Sequence, residues 1–104
     1  MKTNPVAQLE AMLSYLLSGK TKWTVAKKMS GELAALTVEA NDTSYIEQLL
    51  DSRNSELISI AVSALDLMGP LACSVASRLN DVASHPSEQT RRMAKNIMAE
   101  CGIL

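Results

Sequence analysis

The sequence has little aromatic content: it contains no Phe, one Trp and two Tyr among 104 residues. β-Sheet proteins are usually rich in aromatic and β-branched side chains, so this scarcity disfavours a β fold. Ala, Leu, Met, Val and Ile supply nearly all of the apolar content, and 47% of the residues are hydrophobic. Slim side chains of this kind let helices approach closely. The sequence therefore predicts an all-α fold in a single domain of residues 1–104.

Residues that perform chemistry are equally sparse. His85 is the only histidine, and we expect it in a solvent-exposed turn beside Pro86, without a second ligand for a metal ion. Neither a P-loop nor a G-x-S-x-G motif occurs, and Gly is too infrequent for a phosphate-binding loop. We therefore predict that the protein is not an enzyme and that it has no catalytic, cofactor-binding or metal site.

The two cysteines, Cys73 and Cys101, lie among apolar residues at helical spacing and form no CxxC motif. The N-terminal apolar run is interrupted by Glu10, which argues against a secretory segment. Free, buried thiols in a reducing compartment are the expectation, and with them a cytoplasmic location. No stretch reaches the roughly 18 apolar residues of a membrane helix, so we predict no membrane contact.

What the sequence does contain is a repeat. Residues 49–69, LLDSRNSELISIAVSALDLMG, are followed at a distance of 33 residues by residues 82–102, VASHPSEQTRRMAKNIMAECG. Each copy has an apolar pair, a polar turn, a helical segment with small residues and a closing Gly. A period of this length is typical of stacked helical hairpins.

Apolar spacing and Gly and Pro positions predict about six helices, paired as three antiparallel hairpins over about residues 4–40, 42–69 and 70–104. Asn4 is expected to cap the first helix, with Pro5 at its first position.

Two further helix boundaries follow from the same signals. The second helix should be capped by Thr21 or Thr24 and run to about Ala40. The fifth helix should extend from about Leu71 to Ala83, before Pro86.

Residues 90–102, TRRMAKNIMAECG, resemble the second helix of the HEAT-like repeat family, with Thr90, Arg91, Ala94, Met98 and Gly102 at the positions of that pattern. Residues 69–79, GPLACSVASRL, look like the Gly-Pro opening of a first helix in that family. The resemblance implies a short right-handed α-solenoid of stacked hairpins.

The sequence departs from the family pattern at two places. Ile58 stands where the family has Arg, and Ser52 and His85 stand where it has an acid. We therefore expect the polar ladder that the family forms between successive hairpins to be weak or missing.

The family uses the second helices of its hairpins to line a concave binding surface. By resemblance, the residues on that surface would be Lys27, Ser59, Ser63, Asp66, Arg92 and Asn96. The resemblance thus implies a non-catalytic protein-protein interaction module or adaptor. An enzyme-associated subunit, similar in class to the bilin lyases and active only with a partner chain, is a further interpretation.

A basic segment supplies an alternative function. Four lysines surround one tryptophan: Lys20, Lys22, Trp23, Lys27 and Lys28. Lysines can neutralise phosphates while an indole stacks on bases, so a small nucleic-acid-binding accessory protein is the alternative. The formal net charge of −1 argues against it, because nucleic-acid-binding domains are usually strongly basic. The other interpretation is that Trp23 covers the end of the first hairpin among solvated lysines.

The apolar C-terminal pair Ile103–Leu104 leaves the oligomeric state open. These two residues either cover the open end of the stack or lie at the contact of a homodimer.

Overall fold

The computed structural model describes residues 4–19 and 22–103, and every regular element within them is helical. There are six α-helices and two 3₁₀ helices in this part of the chain. The α-helices are α1 (Pro5–Leu17), α2 (Trp23–Lys28), α3 (Ser30–Ala40), α4 (Ser44–Leu50), α5 (Ser55–Asp66) and α6 (Glu88–Glu100), and the 3₁₀ helices span Gly69–Ser74 and Ala76–Ser84. The prediction of an all-α fold is confirmed, with more and shorter helices than predicted.

Capping residues fix the ends of the helices as the sequence indicates. The Asn4 Oδ1 atom accepts a hydrogen bond from the Val6 N–H at 2.9 Å, and Pro5 opens α1. Ser87 caps α6 in the same way, since its hydroxyl accepts from the Thr90 N–H at 3.3 Å. Such caps satisfy backbone donors that the first helical turn leaves free.

The predicted second helix is divided in two. α2 ends at Lys28 and α3 begins at Ser30, because the Met29 N–H bonds to the Ala26 carbonyl, three residues back, at 3.0 Å. This tighter bond closes the turn and redirects the chain. The residue before α2 is Lys22, so Thr24 is not the cap, and Thr21 lies outside the described residues.

The predicted fifth helix is a pair of 3₁₀ helices joined at Val75. In the second of them the buried positions recur every three residues: Ala76, Leu79 and Val82 are each at most 5% exposed. That interval is the period of a 3₁₀ helix, whose turn has three residues. An α-helical phase places some of the same residues inward, which is why the apolar spacing alone favours the wrong helix type.

α5 lies at the centre of the packing. It contacts α2, α3, α4, α6 and the first 3₁₀ helix. The run Ile60–Val62 and the residues Ala64 and Leu65 are each at most 2% exposed, so α5 is covered on nearly every side. α3, α5 and α6 pack side by side in that order, and α1 packs against both α3 and α4.

Polar side chains also join the helical segments. The Tyr45 hydroxyl donates to Glu10 across 35 residues of sequence at 3.3 Å. Arg78 reaches back from the second 3₁₀ helix to α4, with distances of 3.3 Å to Glu47 and 3.1 Å to Asp51. These contacts use other residues than those of the family's polar ladder, so the expectation about that ladder stays a prediction. Exposed ion pairs of this kind contribute only about 0–1 kcal/mol each, so burial remains the main stabilising force.

Cys73 and Cys101 form a disulfide, with their Cα atoms 5.3 Å apart. The prediction of free, buried thiols is wrong: Cys73 is exposed and Cys101 is half-buried. The first 3₁₀ helix presents Cys73 to the end of α6 instead of to the core. Disulfides persist chiefly in oxidising compartments, so the cytoplasmic prediction loses its argument from free thiols and stays a prediction. No helix in the described residues is both long enough and apolar enough to cross a membrane.

The disulfide should contribute measurably to stability. It closes a loop with a sequence separation of 28 residues, and the chain-entropy relation for such a loop gives about 3.5 kcal/mol. We expect dithiothreitol to lower the free energy of unfolding in urea by about that amount. The matched control is the Cys73→Ser, Cys101→Ser variant, which should be insensitive to dithiothreitol. An identical urea midpoint for the native chain with and without dithiothreitol would contradict the assignment.

Tyr45 should make the fold sensitive to alkaline pH. Burial raises the pKa of its phenol, and the negative charge of Glu10, the hydrogen bond to Glu10 and the charge of Asp42 act in the same direction. An unfolded Tyr ionises near pH 10, so the unfolded chain loses this proton first and stability falls as the pH rises beyond about 10. Urea midpoints from pH 8 to 11 should show the fall in the native chain and a smaller one in Tyr45→Phe. Equal declines in the two proteins would refute the assignment of this pH dependence to Tyr45.

Candidate functional site

A depression of about 150 Å³ lies where α2, α5 and α6 meet. We call it the α5–α6 depression. Its lining residues are Lys27, Ser59, Ile60, Ser63, Ser87, Gln89, Thr90 and Met93. Three of the six residues predicted to bind a partner are among them, namely Lys27, Ser59 and Ser63. The structure thus brings half of the predicted site together.

α5 contributes two hydroxyls to this depression. Ser59 and Ser63 are four residues apart, so one helical turn places them on the same face of α5. The Ser59 Oγ atom is 2.6 Å from the Thr90 Oγ1 atom, and the Ser63 hydroxyl donates weakly to the Met93 sulfur at 3.9 Å. α5 and α6 therefore meet here through polar as well as apolar side chains.

Among the described residues, Lys27 is the one charged residue in the lining of the depression. Lys27 is exposed and lies in the last turn of α2. The depression also receives the first turn of α6, which begins after Ser87 and carries Glu88 outside the lining. The N-terminal end of a helix carries a partial positive charge. Lys27 and this helix end together favour carboxylate or other electron-rich groups of a binding partner.

The other three predicted partner residues lie elsewhere. Asp66 lines a second cavity, at the C-terminal end of α5. Arg92 forms an ion pair with Glu88 along α6 at 3.0 Å, and Asn96 is exposed on α6 without lining either cavity. The predicted site does not include Gln89, Thr90 and Met93, because it takes Arg92 and Asn96 as the partner-facing residues of α6.

The basic segment is described only in part. Lys22, Lys27 and Lys28 are exposed, whereas Lys20 and the side chain of Trp23 lie outside the described part of the chain. Lys27 and Lys28 close α2, where positive charge is favourable to the helix dipole. This placement accounts for two lysines without a nucleic acid, and contact with nucleic acid stays a prediction.

The C-terminal pair is likewise described in part. Ile103 is 41% exposed, and Leu104 lies outside the described residues. Both interpretations of this pair, an end cover and a dimer contact, stay predictions.

His85 is buried, contrary to the prediction of an exposed turn; it is 8% exposed. It continues the three-residue interval of the second 3₁₀ helix, and this interval was the sequence signal that indicated burial. Its Nδ1 atom accepts a hydrogen bond from the Ser87 N–H at 2.9 Å, so the proton resides on Nε2, which donates to the Ser55 carbonyl at 2.7 Å. Both ring nitrogens are thus engaged with backbone, and neither is free for proton transfer.

Metal binding finds no support in the described residues. Nowhere within residues 4–19 and 22–103 do three or more His, Cys, Asp or Glu side chains come together as a set that could hold a metal ion.

Comparison of the chain with protein-family models, with curated proteins and with solved structures gives no match. The resemblance to the HEAT-like repeats is therefore carried by the residues of the repeat alone.

Replacing His85 should destabilise the fold. His85→Leu keeps an apolar body but leaves the Ser87 N–H and the Ser55 carbonyl without their partner. An unsatisfied buried polar group costs about 1–3 kcal/mol, so we expect a loss of about 2 kcal/mol in the free energy of unfolding, measured with urea. Gln48→Leu, at an exposed position of α4, is the control and should change it little. A His85→Leu protein as stable as the native chain would show that these bonds are dispensable.

Proposed function

We propose that this protein is a non-catalytic protein-interaction module, built as a short HEAT-like stack of three helical hairpins and binding its partner at the α5–α6 depression. The observation that carries the proposal is the convergence of Lys27, Ser59 and Ser63 at one depression. The chain brings them together from α2 and α5, although Lys27 and Ser59 are far apart in sequence.

The contacts between segments support the stacked arrangement. In a stack with a period near 33, a residue should meet residues about one period away. The bond between Ser59 and Thr90 spans 31 positions, that between His85 and Ser55 spans 30, and that between Arg78 and Glu47 spans 31. The side-by-side packing of α3, α5 and α6 is what successive second helices would give.

The size of the depression favours a protein partner. Pockets for small molecules usually enclose about 300–1,000 Å³, whereas this depression has about 150 Å³. That volume suits one or two side chains projecting from a partner's surface. Interfaces gain much of their affinity from a few such anchors placed in pockets.

The chemistry of the lining supports binding over catalysis. The hydroxyls of Ser59 and Thr90 bond to each other, and His85 bonds to backbone on both sides of its ring. A serine nucleophile needs a general base within hydrogen-bond reach, and His85 has no free nitrogen with which to serve as one. The amide of Gln89 and the ammonium group of Lys27 suit an acidic or amide side chain of the partner.

A photocrosslink tests the proposal directly. A p-benzoyl-phenylalanine residue is placed at Gln89, which is exposed and lines the depression, and at Glu32, an exposed control position on α3. Irradiation in cells that make the protein should yield a discrete adduct from Gln89 and none from Glu32, and mass spectrometry then identifies the partner. Adducts that form equally at both positions would contradict a site at the depression.

A charge reversal then measures the contribution of Lys27. Lys27→Glu should weaken binding of the identified partner at least tenfold. Calorimetry measures this loss, which corresponds to about 1.4 kcal/mol of binding free energy. Lys95→Glu changes the same charge at an exposed position of α6 outside the depression and should have little effect. Equal losses in the two variants would refute the assignment.

Salt-sensitive binding of a 20-mer duplex that is lost on charge reversal of Lys20, Lys22 and Lys28 would favour the nucleic-acid alternative instead.

A further inference from the structure

A second cavity, of about 320 Å³, lies between the C-terminal ends of α5 and α6 and the first 3₁₀ helix. Its floor is apolar and belongs to the core: Leu65, Ala72 and Ile97 are each at most 3% exposed. The disulfide between Cys73 and Cys101 forms one wall. We call this the disulfide cavity.

The rim of the disulfide cavity carries two negative charges. Asp66 is the last residue of α5, and Glu100 is the last residue of α6. Both side chains are exposed and line the cavity. Within the described part of the chain, neither carboxylate forms an ion pair.

These two acids occupy unfavourable positions for their own helices. The C-terminal end of a helix carries a partial negative charge, so cations are stabilising there and anions are not. Neither α5 nor α6 has a basic residue in its last turn to offset Asp66 or Glu100. Two negative helix ends and two carboxylates therefore converge on one apolar cavity. A cation placed there would interact favourably with both helix ends and with both carboxylates.

The occupant that fits this arrangement has an apolar stem and a cationic head. Lys and Arg side chains have this construction: their methylene groups lie along apolar surface while the charge remains at the edge. The stem would lie along Pro70 and the disulfide, which line the cavity and are accessible to solvent, and the head would lie between Asp66 and Glu100. Because both carboxylates are exposed at the rim, the main chain that carries such a residue can remain on the protein surface.

We infer that the disulfide cavity is a docking site for an Arg or Lys side chain of a partner polypeptide. It is distinct from the α5–α6 depression in residues and opposite to it in charge. The inference rests on its own observations and would stand even if the depression proved to bind nothing.

Nuclear magnetic resonance titration tests this inference on the intact, oxidised chain. The probes are the peptide Ac-Gly-Leu-Arg-Leu-Gly-NH₂, its counterpart with Glu in place of Arg, and n-butylguanidinium as a free cation. The Arg peptide should shift the backbone amide signals of Asp66, Gly69 and Cys101 in a saturable manner, and the Glu peptide should not. n-Butylguanidinium should bind more weakly than the Arg peptide.

Amide variants identify the groups responsible. The double variant Asp66→Asn, Glu100→Gln should bind the Arg peptide at least tenfold more weakly than the native chain. The matched control, Glu32→Gln with Glu39→Gln, changes the net charge equally at exposed positions of α3 outside the cavity, and it should bind like the native chain. Since the cavity variant removes acids from helix C-termini, its thermal midpoint should be unchanged or higher, which separates lost binding from lost folding.

Three results would overturn the inference. The first is equal shifts from the Glu and Arg peptides, and the second is equal weakening in the cavity variant and its control. The third is binding of n-butylguanidinium as tight as that of the Arg peptide, which would assign the cavity to a small cation instead of a polypeptide.

Discussion

The fold depends on the burial of α5. This helix is covered by α3 on one side and α6 on the other, with α4 and the first 3₁₀ helix also in contact. Ala61 and Ala64 are completely buried, and side chains this small allow neighbouring helices to approach closely. Burying a Leu, Ile or Val side chain contributes about 1.5–3 kcal/mol, which exceeds what an exposed ion pair supplies. Apolar burial therefore stabilises the fold, and the polar contacts between segments help to orient the segments relative to one another.

The position of α5 also explains why the candidate sites lie where they do. A helix that is buried on most sides can offer only a narrow face and its ends to solvent. Its narrow face carries Ser59 and Ser63 and forms the floor of the α5–α6 depression, while its C-terminal end carries Asp66 at the disulfide cavity. The two cavities differ in charge because one receives a helix N-terminus and Lys27, and the other receives two helix C-termini with their acids.

The sequence predicts some parts of this structure well for identifiable reasons. α1 and α6 combine an amphipathic stripe with a capping side chain, Asn4 or Ser87, so both the face and the starting point are specified. Ser59 and Ser63 could be placed on one face because their spacing equals about one helical turn. On α6 the prediction chose Arg92 and Asn96 instead of the residues that complete the depression, since one position of error in helix phase rotates a side chain by about 100°.

The errors concentrate in residues 69–85. A short apolar stretch fits the α-helical and the 3₁₀ periods nearly equally, and tertiary packing decides between them. The α-helical phase leaves His85 in an outer turn, whereas the three-residue interval of the 3₁₀ helix buries it. The spacing of Cys73 and Cys101 does not show that these residues, 28 positions apart, meet in the fold. The misassigned period thus accounts for the wrong prediction about the histidine, and a long-range contact that the sequence does not indicate accounts for the wrong prediction about the thiols.

Hydrogen–deuterium exchange of an Ala61→Leu variant tests the central role of α5 most directly. The added methyl groups overfill a completely buried position, which typically costs about 1–3 kcal/mol. If α5 supports its neighbours as one cooperative unit, exchange in α3, α5 and α6 should accelerate by a common factor of about tenfold or more, because about 1.4 kcal/mol corresponds to a factor of ten. Acceleration confined to α5, with α3 and α6 unchanged, would contradict the account.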